Sequence, residues 1–282
     1  MARQYTDDIL YHYTDYQAFD GILREAQLRV NNILNMNDAA EMRLFMTGLC
    51  EAVISRLQQE GHRETAVAVQ DFFETELQKE FYYSAYAACF SLYRDDAAQW
   101  ERYGNKGRGV CIGFRGDLLQ KMVRGVVSLQ TVFYQDDMRS HELVEIFYTI
   151  ARQTSGKLSD NSLAREAINT AWICSAAFKH PSFSSEREVR LVVSPFSKEY
   201  FDVKPCYHIT MERIKKYYPL DLRKMCDRAN CDLQDLISEI IIGPESTQSK
   251  AILQDYLNDH GLAFLADKVH LSDCPLRRSA NE

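Results

Sequence analysis

The feature that most limits the fold of this chain is the irregular alternation of short β-type runs with helical stretches. Apolar, β-branched or aromatic runs at residues 9–13, 28–30, 85–92, 110–114, 126–134, 188–193, 200–203, 238–242 and 269–271 read as strands. A helix capped by Asp15 reaches about Ala26. Residues 38–81 read as two helical pieces broken near Gly61. Asp95 or Asp96 caps a short helix through Tyr103, which Gly104 ends. Further helices are expected at 137–155, 160–178 and 247–260. A strict strand–helix–strand rhythm would imply a doubly wound parallel sheet, and this chain lacks one. The expected class is therefore α+β, with a mixed or antiparallel sheet carrying helices. Without repeats or a Pro/Ser-rich linker, one continuous domain with helical insertions is the simplest organisation.

A chain of 282 residues with 46% hydrophobic and 26% charged residues can bury a full core without disulfides or metals. It contains no apolar run of about 18 residues, and its first residues show no apolar signal-peptide region, so neither a membrane span nor secretion is expected. The eight cysteines include no Cys-x-x-Cys pair. Buried free thiols in a reducing, cytoplasmic setting are the expectation. Cys226 and Cys231 have no second pair at zinc spacing, so no metal is expected. The net charge of −7 argues against general coating of nucleic acid. Locally, though, Arg102, Lys106, Arg108, Arg115, Lys121 and Arg124 surround a single acid, Asp117. Such a segment forms either a solvated face or a surface for phosphates.

The Gly-rich run 104–113 precedes a strand instead of opening a helix, so neither a dinucleotide-binding fingerprint nor a P-loop fits. Four groups of residues could carry chemistry. The first is Tyr11-His12-Tyr13-Thr14 at a strand end, where His12 is structural or donates to a ribose hydroxyl. The second, Asn37-Asp38 with Glu41, has the pattern of a helix start and a capping box. The third is Ser91 with Trp100 and Tyr103, two aromatics three apart that form core or one wall of a slot for a flat ring. The fourth, residues 184–193, places Glu186, Glu188 and Arg190 on one face if it is a continuous strand, with neighbours ~6.6 Å apart. There Glu188 and Arg190 form a structural ion pair, or a carboxylate is placed to stabilise a developing cation.

Taken together, Leu10-Tyr-His-Tyr-Thr14, Leu28-Arg-Val30, Asn37-Asp38-x-x-Glu41, Phe90-Ser91, Trp100-x-x-Tyr103, Phe178-Lys179, Glu186-x-Glu188-Val-Arg190, Glu239-Ile-Ile-Ile-Gly243-Pro244 and the stretch from Leu271 to Arg277 resemble a widespread bacterial family of unknown function, DUF2971. The resemblance spans nearly the whole chain. The motif order is in turn similar to that of the ADP-ribosyltransferase superfamily, with a strand-borne His, a middle Ser or Tyr and a late Glu. In place of that superfamily's usual mid-chain Ser-Thr-Ser, this chain has the helix with Trp100 and Tyr103, so the middle position is Ser91, Trp100 or Tyr103.

The likeness implies one ADP-ribosyltransferase-like domain over 1–282, with a split sheet and helical insertions at about 38–81 and 137–178. It implies NAD as substrate, held by His12, Tyr13, Thr14, Ser91, Trp100, Tyr103 and Arg190, with Glu188 and Glu186 catalytic. Glu188 would bind the nicotinamide-ribose 2′-hydroxyl as nicotinamide leaves, and Glu186 would orient a protein or nucleic-acid acceptor. Toxin or anti-phage roles follow by the same analogy. Water as acceptor would make the chain an NAD glycohydrolase. Two other readings stay open. One is a glycoside-type hydrolase, since ~6.6 Å lies near the lower edge of the ~6.5–9.5 Å inverting range. The other is a non-enzymatic nucleic-acid or partner-binding module using the basic segment.

Overall fold

A computed structural model describes residues 4–35, 40–80, 85–123, 127–134, 138, 141–194, 204–209 and 213–275. The Asn37-Asp38 pair, the expected strand at 200–203 with its Pro195 connection, Arg124 and Arg277 lie outside the described residues, as does the side chain of Glu41. The described strands are β1 (Ile9–Thr14), β2 (Gln27–Asn32), β3 (Tyr86–Ser91), β4 (Val110–Arg115), β5 (Val127–Thr131), β6 (Phe133–Tyr134), β7 (Phe178–Lys179), β8 (Glu188–Val193), β9 (Cys206–Ile209), β10 (Ile214–Asp221), β11 (Ile237–Ile242) and β12 (Val269–Leu271).

Ten of these strands form one hydrogen-bonded sheet. Along it run β12, β11, β4, β1, β3, β2, β10 and β9, while β8 branches from β3 and carries β5. Its pairings are antiparallel apart from β11 with β12. β6 and β7 form a small parallel pair beside it. The fold is thus a mixed α+β one with an antiparallel sheet core and helical insertions. These strands belong to one connected sheet that splits at β3, where β1 and β2 pair with different stretches of that strand.

Period-two alternation sends neighbouring residues of β3 and β8 into different cores. Ala88, Phe90, Val189 and Leu191 join Leu10, Val30 and Ile112 in the first core, under helices Tyr16–Leu23, Gly116–Met122, Leu222–Ala229 and Lys250–Asp259. Ala87 and Val192 face the second core, built by helices Ala40–Gln59, Arg63–Leu77, Glu142–Gln153 and Ser162–Ser175. These last helices occupy the two stretches expected to be inserted, and they pack on one another.

Local chemistry explains the boundaries. Asp15 and Asp96 cap their helices by accepting from Ala18 N and Gln99 N, as expected from their positions. The Gly-rich run after the second of these helices is a backbone-packing device. A Cβ on Gly109 would lie 2.1 Å from the Thr14 carbonyl oxygen, and one on Gly243 would lie 2.3 Å from that of Gly107. In return Gly243 N donates to Gly109 O at 3.0 Å and Glu245 N to Gly107 O at 2.9 Å. The run 126–134, expected as one strand, is two. At the break, Val132 N donates to Glu188 O at 2.9 Å and Phe133 N to Ala177 O at 2.9 Å, which passes the chain from β8 to β7.

Candidate functional site

The cavity exists because two strands share one edge of β3 without meeting. β1 touches that edge at Ser91, through Tyr11, while β2 touches it at Tyr86 and Ala87, through Asn32 and Asn31. Between these points the Cys89 carbonyl is taken by His12 Nδ1 at 2.8 Å. A carbonyl only accepts, so Nδ1 carries the proton. Burial lowers the pKa of His12, outweighing that hydrogen bond, which leaves a neutral ring with Nε2 as an acceptor. A cavity of about 240 Å³ occupies the split. Its walls include His12 and Tyr13 of β1, Arg29 and Asn31 of β2, Cys89 and Ser91 of β3, Glu188 and Arg190 of β8, and Lys215 of β10. Gln99, Tyr103, Lys179 and Glu186 complete this part of the lining.

A compact ion network forms one end. Arg190 Nε donates to Glu188 Oε1 at 2.8 Å and its Nη2 to Oε2 at 3.1 Å, while Nη1 binds the Ala176 carbonyl at 2.8 Å. Lys179 Nζ lies between the carboxylates, 2.6 Å from Glu186 Oε2 and 3.3 Å from Glu188 Oε2. Arg102 Nη1 and the Tyr103 hydroxyl donate to Glu186 Oε1 at 2.6 and 3.1 Å. Lys179, Arg190, Glu186 and Glu188 are only 2%, 2%, 3% and 6% exposed, so each charge depends on its partners for solvation. Burial alone would raise the Glu188 carboxyl. The charges of Arg190 and Lys179, with hydrogen bonds from Arg190 and the Cys89 thiol, outweigh it and hold the group at about 2. Burial also pushes the Tyr103 phenol and the Cys89 thiol upward, so both remain protonated at neutral pH.

Glu186 does not belong to the strand. It ends a 3-10 turn, Pro181–Glu186, and Arg187 follows in the left-handed region with φ 42°. The kink still aims both carboxylates at Lys179. Ser91 and Gln99 hold it by donating to the Glu186 carbonyl at 2.9 and 3.3 Å. Ser91 thus spends its hydroxyl proton on the backbone.

Of the residues expected at the site, His12, Tyr13, Ser91, Tyr103, Glu186, Glu188 and Arg190 line the cavity. The Tyr13 hydroxyl is engaged, donating to Tyr93 O at 2.9 Å and accepting from Asp96 N at 3.0 Å. Trp100 and Thr14 are not among the lining residues. Trp100 is fully buried, edge-on to Tyr13 at 4.8 Å, with Nε1 donating to Asp95 at 2.7 Å, so it is core and not a ring-stacking wall. Three of the described cations of the basic segment are paired with carboxylates. Arg102 pairs with Glu186, while Arg115 and Lys121 pair with Asp117. Arg29, Lys179 and Lys215 carry no local signal for a site role. Their positions depend on strand register.

Two groups at the site contribute to the pH dependence of stability. With the His12 pKa lowered below 6.5, the unfolded chain binds the proton more readily, so stability declines as pH falls below 6.5. Glu188 contributes stability that is complete above 4.5 and lost as pH falls through about 2. Urea denaturation at a series of pH values is expected to show both declines, and His12→Asn to lessen the first, with burial of His141, which also lowers its pKa, leaving the remainder. A flat profile down to 4.5 would refute the account of His12.

A family model described as "Protein of unknown function (DUF2971)" matches residues 99–191. The matched stretch is narrower than the whole-chain resemblance. It includes Tyr103, Lys179, Glu186, Glu188 and Arg190, and it leaves out His12 and Ser91. No curated protein and no solved structure matches the chain. Among the described residues, no group of three or more His, Cys, Asp or Glu side chains could hold a metal ion, and no helix is long and apolar enough to cross a membrane.

Proposed function

We propose that the chain is an NAD-consuming enzyme of the ADP-ribosyltransferase kind, which breaks the nicotinamide–ribose bond and passes ADP-ribose to a protein or nucleic-acid acceptor. One observation carries this reading: an imidazole, a phenol and an ionised carboxylate from distant stretches, His12, Tyr103 and Glu188, line the same cavity. Glu188 offers fixed negative charge where an oxocarbenium-like centre would develop, and such preorganised charge stabilises a transition state more than solvent does. The Lys179 contact, at 3.3 Å, is longer than the two from Arg190, and a ribose 2′-hydroxyl would displace it. Tyr103 would flank the nicotinamide ring, and the neutral His12 would bind a ribose hydroxyl. With water as acceptor, the same site would act as an NAD glycohydrolase.

A second reading has its own support. Arg190, Lys179 and the Cys89 thiol use most of the acceptor capacity of Glu188, as a structural ion cluster beneath a non-catalytic binding pocket would. Incubation with nicotinamide-labelled and adenine-labelled NAD separates the two. The enzyme releases nicotinamide and moves the adenine label to macromolecule or to free ADP-ribose. A protein that binds NAD by calorimetry without releasing nicotinamide is the binding module, and one that does neither refutes the NAD reading.

A further inference from the structure

We infer that the end of the cavity between β2 and β10 is a diphosphate subsite made by Arg29 and Lys215, with Asn31 between them. At the β8 end, by contrast, Lys179, Arg190 and Arg102 each have a carboxylate partner in Glu186 or Glu188. Arg29 and Lys215 also line the cavity, are half-buried, and have no ion-pair partner among the described residues. Two cations withdrawn from water without a counter-charge are costly in an empty cavity and favourable in one that receives an anion.

The register spaces them for more than one phosphate. Asn31 pairs with Tyr217 and Arg29 with Pro219, so the Asn31–Tyr217 rung lies between Arg29 on one side and Lys215 on the other. Each is two residues from the rung, ~6.6 Å along the strand, and alternation keeps them on the face of Asn31. Both side chains are long enough to reach in over the rung. Arg29 is oriented by the Tyr217 ring, 5.1 Å from its guanidinium carbon. A guanidinium fork suits two phosphate oxygens and an ammonium serves as a point charge, while the Asn31 amide adds a neutral donor. Two cations flanking one amide match the two linked phosphates of a nucleoside diphosphate or a dinucleotide. The subsite deepens the proposed function and rests on it for the identity of the ligand, but its charge argument can be tested alone.

The test is calorimetric titration of the intact protein with inorganic pyrophosphate and with ADP. The variants are Arg29→Gln, Lys215→Gln, their double and Arg29→Lys, with Lys250→Gln as a remote charge control. Wild type is expected to bind both probes. Each single loss of charge should weaken binding about tenfold, as for other hydrogen bonds to charged groups. The double should weaken it further, and Arg29→Lys should recover part of the loss. Thermal melts of the variants should match wild type, because neither side chain is core. No binding by wild type, or wild-type affinity in the double variant, overturns the subsite. If pyrophosphate binding behaves as stated while NAD is not cleaved, the subsite stands and the transferase reading falls. If NAD is cleaved with an unchanged KM in the double variant, the transferase reading stands and the subsite falls.

Discussion

Glu188→Gln is expected to lower the unfolding free energy by about 3–5 kcal/mol and, on the proposed function, nicotinamide release per folded molecule by ~10²–10³. The two effects have separate causes. In the folded chain both carboxylate oxygens of Glu188 accept, from Arg190 on each side and from Lys179 on one. The amide keeps the shape, but it turns one acceptor into a donor that faces another donor. It also removes the charge that solvates the buried Arg190 guanidinium. Turnover falls because a neutral amide cannot favour a developing cation as an ionised carboxylate does. Chemical denaturation reads the first effect, and NAD cleavage corrected for folded fraction reads the second. Glu188→Asp, which keeps the charge, is expected to recover part of the stability. A variant as stable as wild type would show that the ion pair adds nothing to the fold. Unchanged cleavage per folded molecule would leave Glu188 a purely structural residue.

The legible parts of the fold were those where sequence pattern and burial coincide. The runs at 188–193 and 110–114 become strands of almost unbroken burial, and their apolar character announces this. The region 204–236 carried no such signal. β10, Ile214–Asp221, is mostly half-buried and includes Pro219, both of which blur a strand pattern. Pro219 is tolerated because β9 pairs with β10 only as far as Tyr217.

The same logic divides the site. Glu186, Glu188 and Arg190 stood out as charges entering an apolar run. Lys179, Arg29 and Lys215 acquire meaning only when register brings β7, β2 and β10 to one cavity, and no local spacing encodes that. Trp100 shows the limit of helical spacing. Positions three apart differ by about 60° around a helix, enough here to turn Trp100 into the core and leave Tyr103 on the cavity wall.

Lys179→Met is expected to cost about 3–5 kcal/mol of stability at neutral pH, the usual penalty for removing one partner from a buried ion cluster. Methionine retains most of the apolar stem, so the loss is chiefly that of the ammonium shared by Glu186 and Glu188. The pH dependence identifies this cause. In wild type, Glu188 is held at about 2, against 4.5 when unfolded, so its stabilisation is complete above 4.5 and vanishes as pH falls through about 2. Without Lys179, one of the charges that depress the Glu188 pKa is gone. Its folded value moves up, and less stabilisation remains to be lost. The gap between wild type and variant should therefore be widest above pH 4.5 and close toward pH 2, read by urea denaturation of both proteins across that interval. A gap that stays constant with pH would assign the cost to packing, since Lys179 also lies over the Phe183 ring at 4.8 Å. The Lys179 ammonium would then be incidental to the fold, and Glu188 would owe its ionisation to Arg190 and the Cys89 thiol.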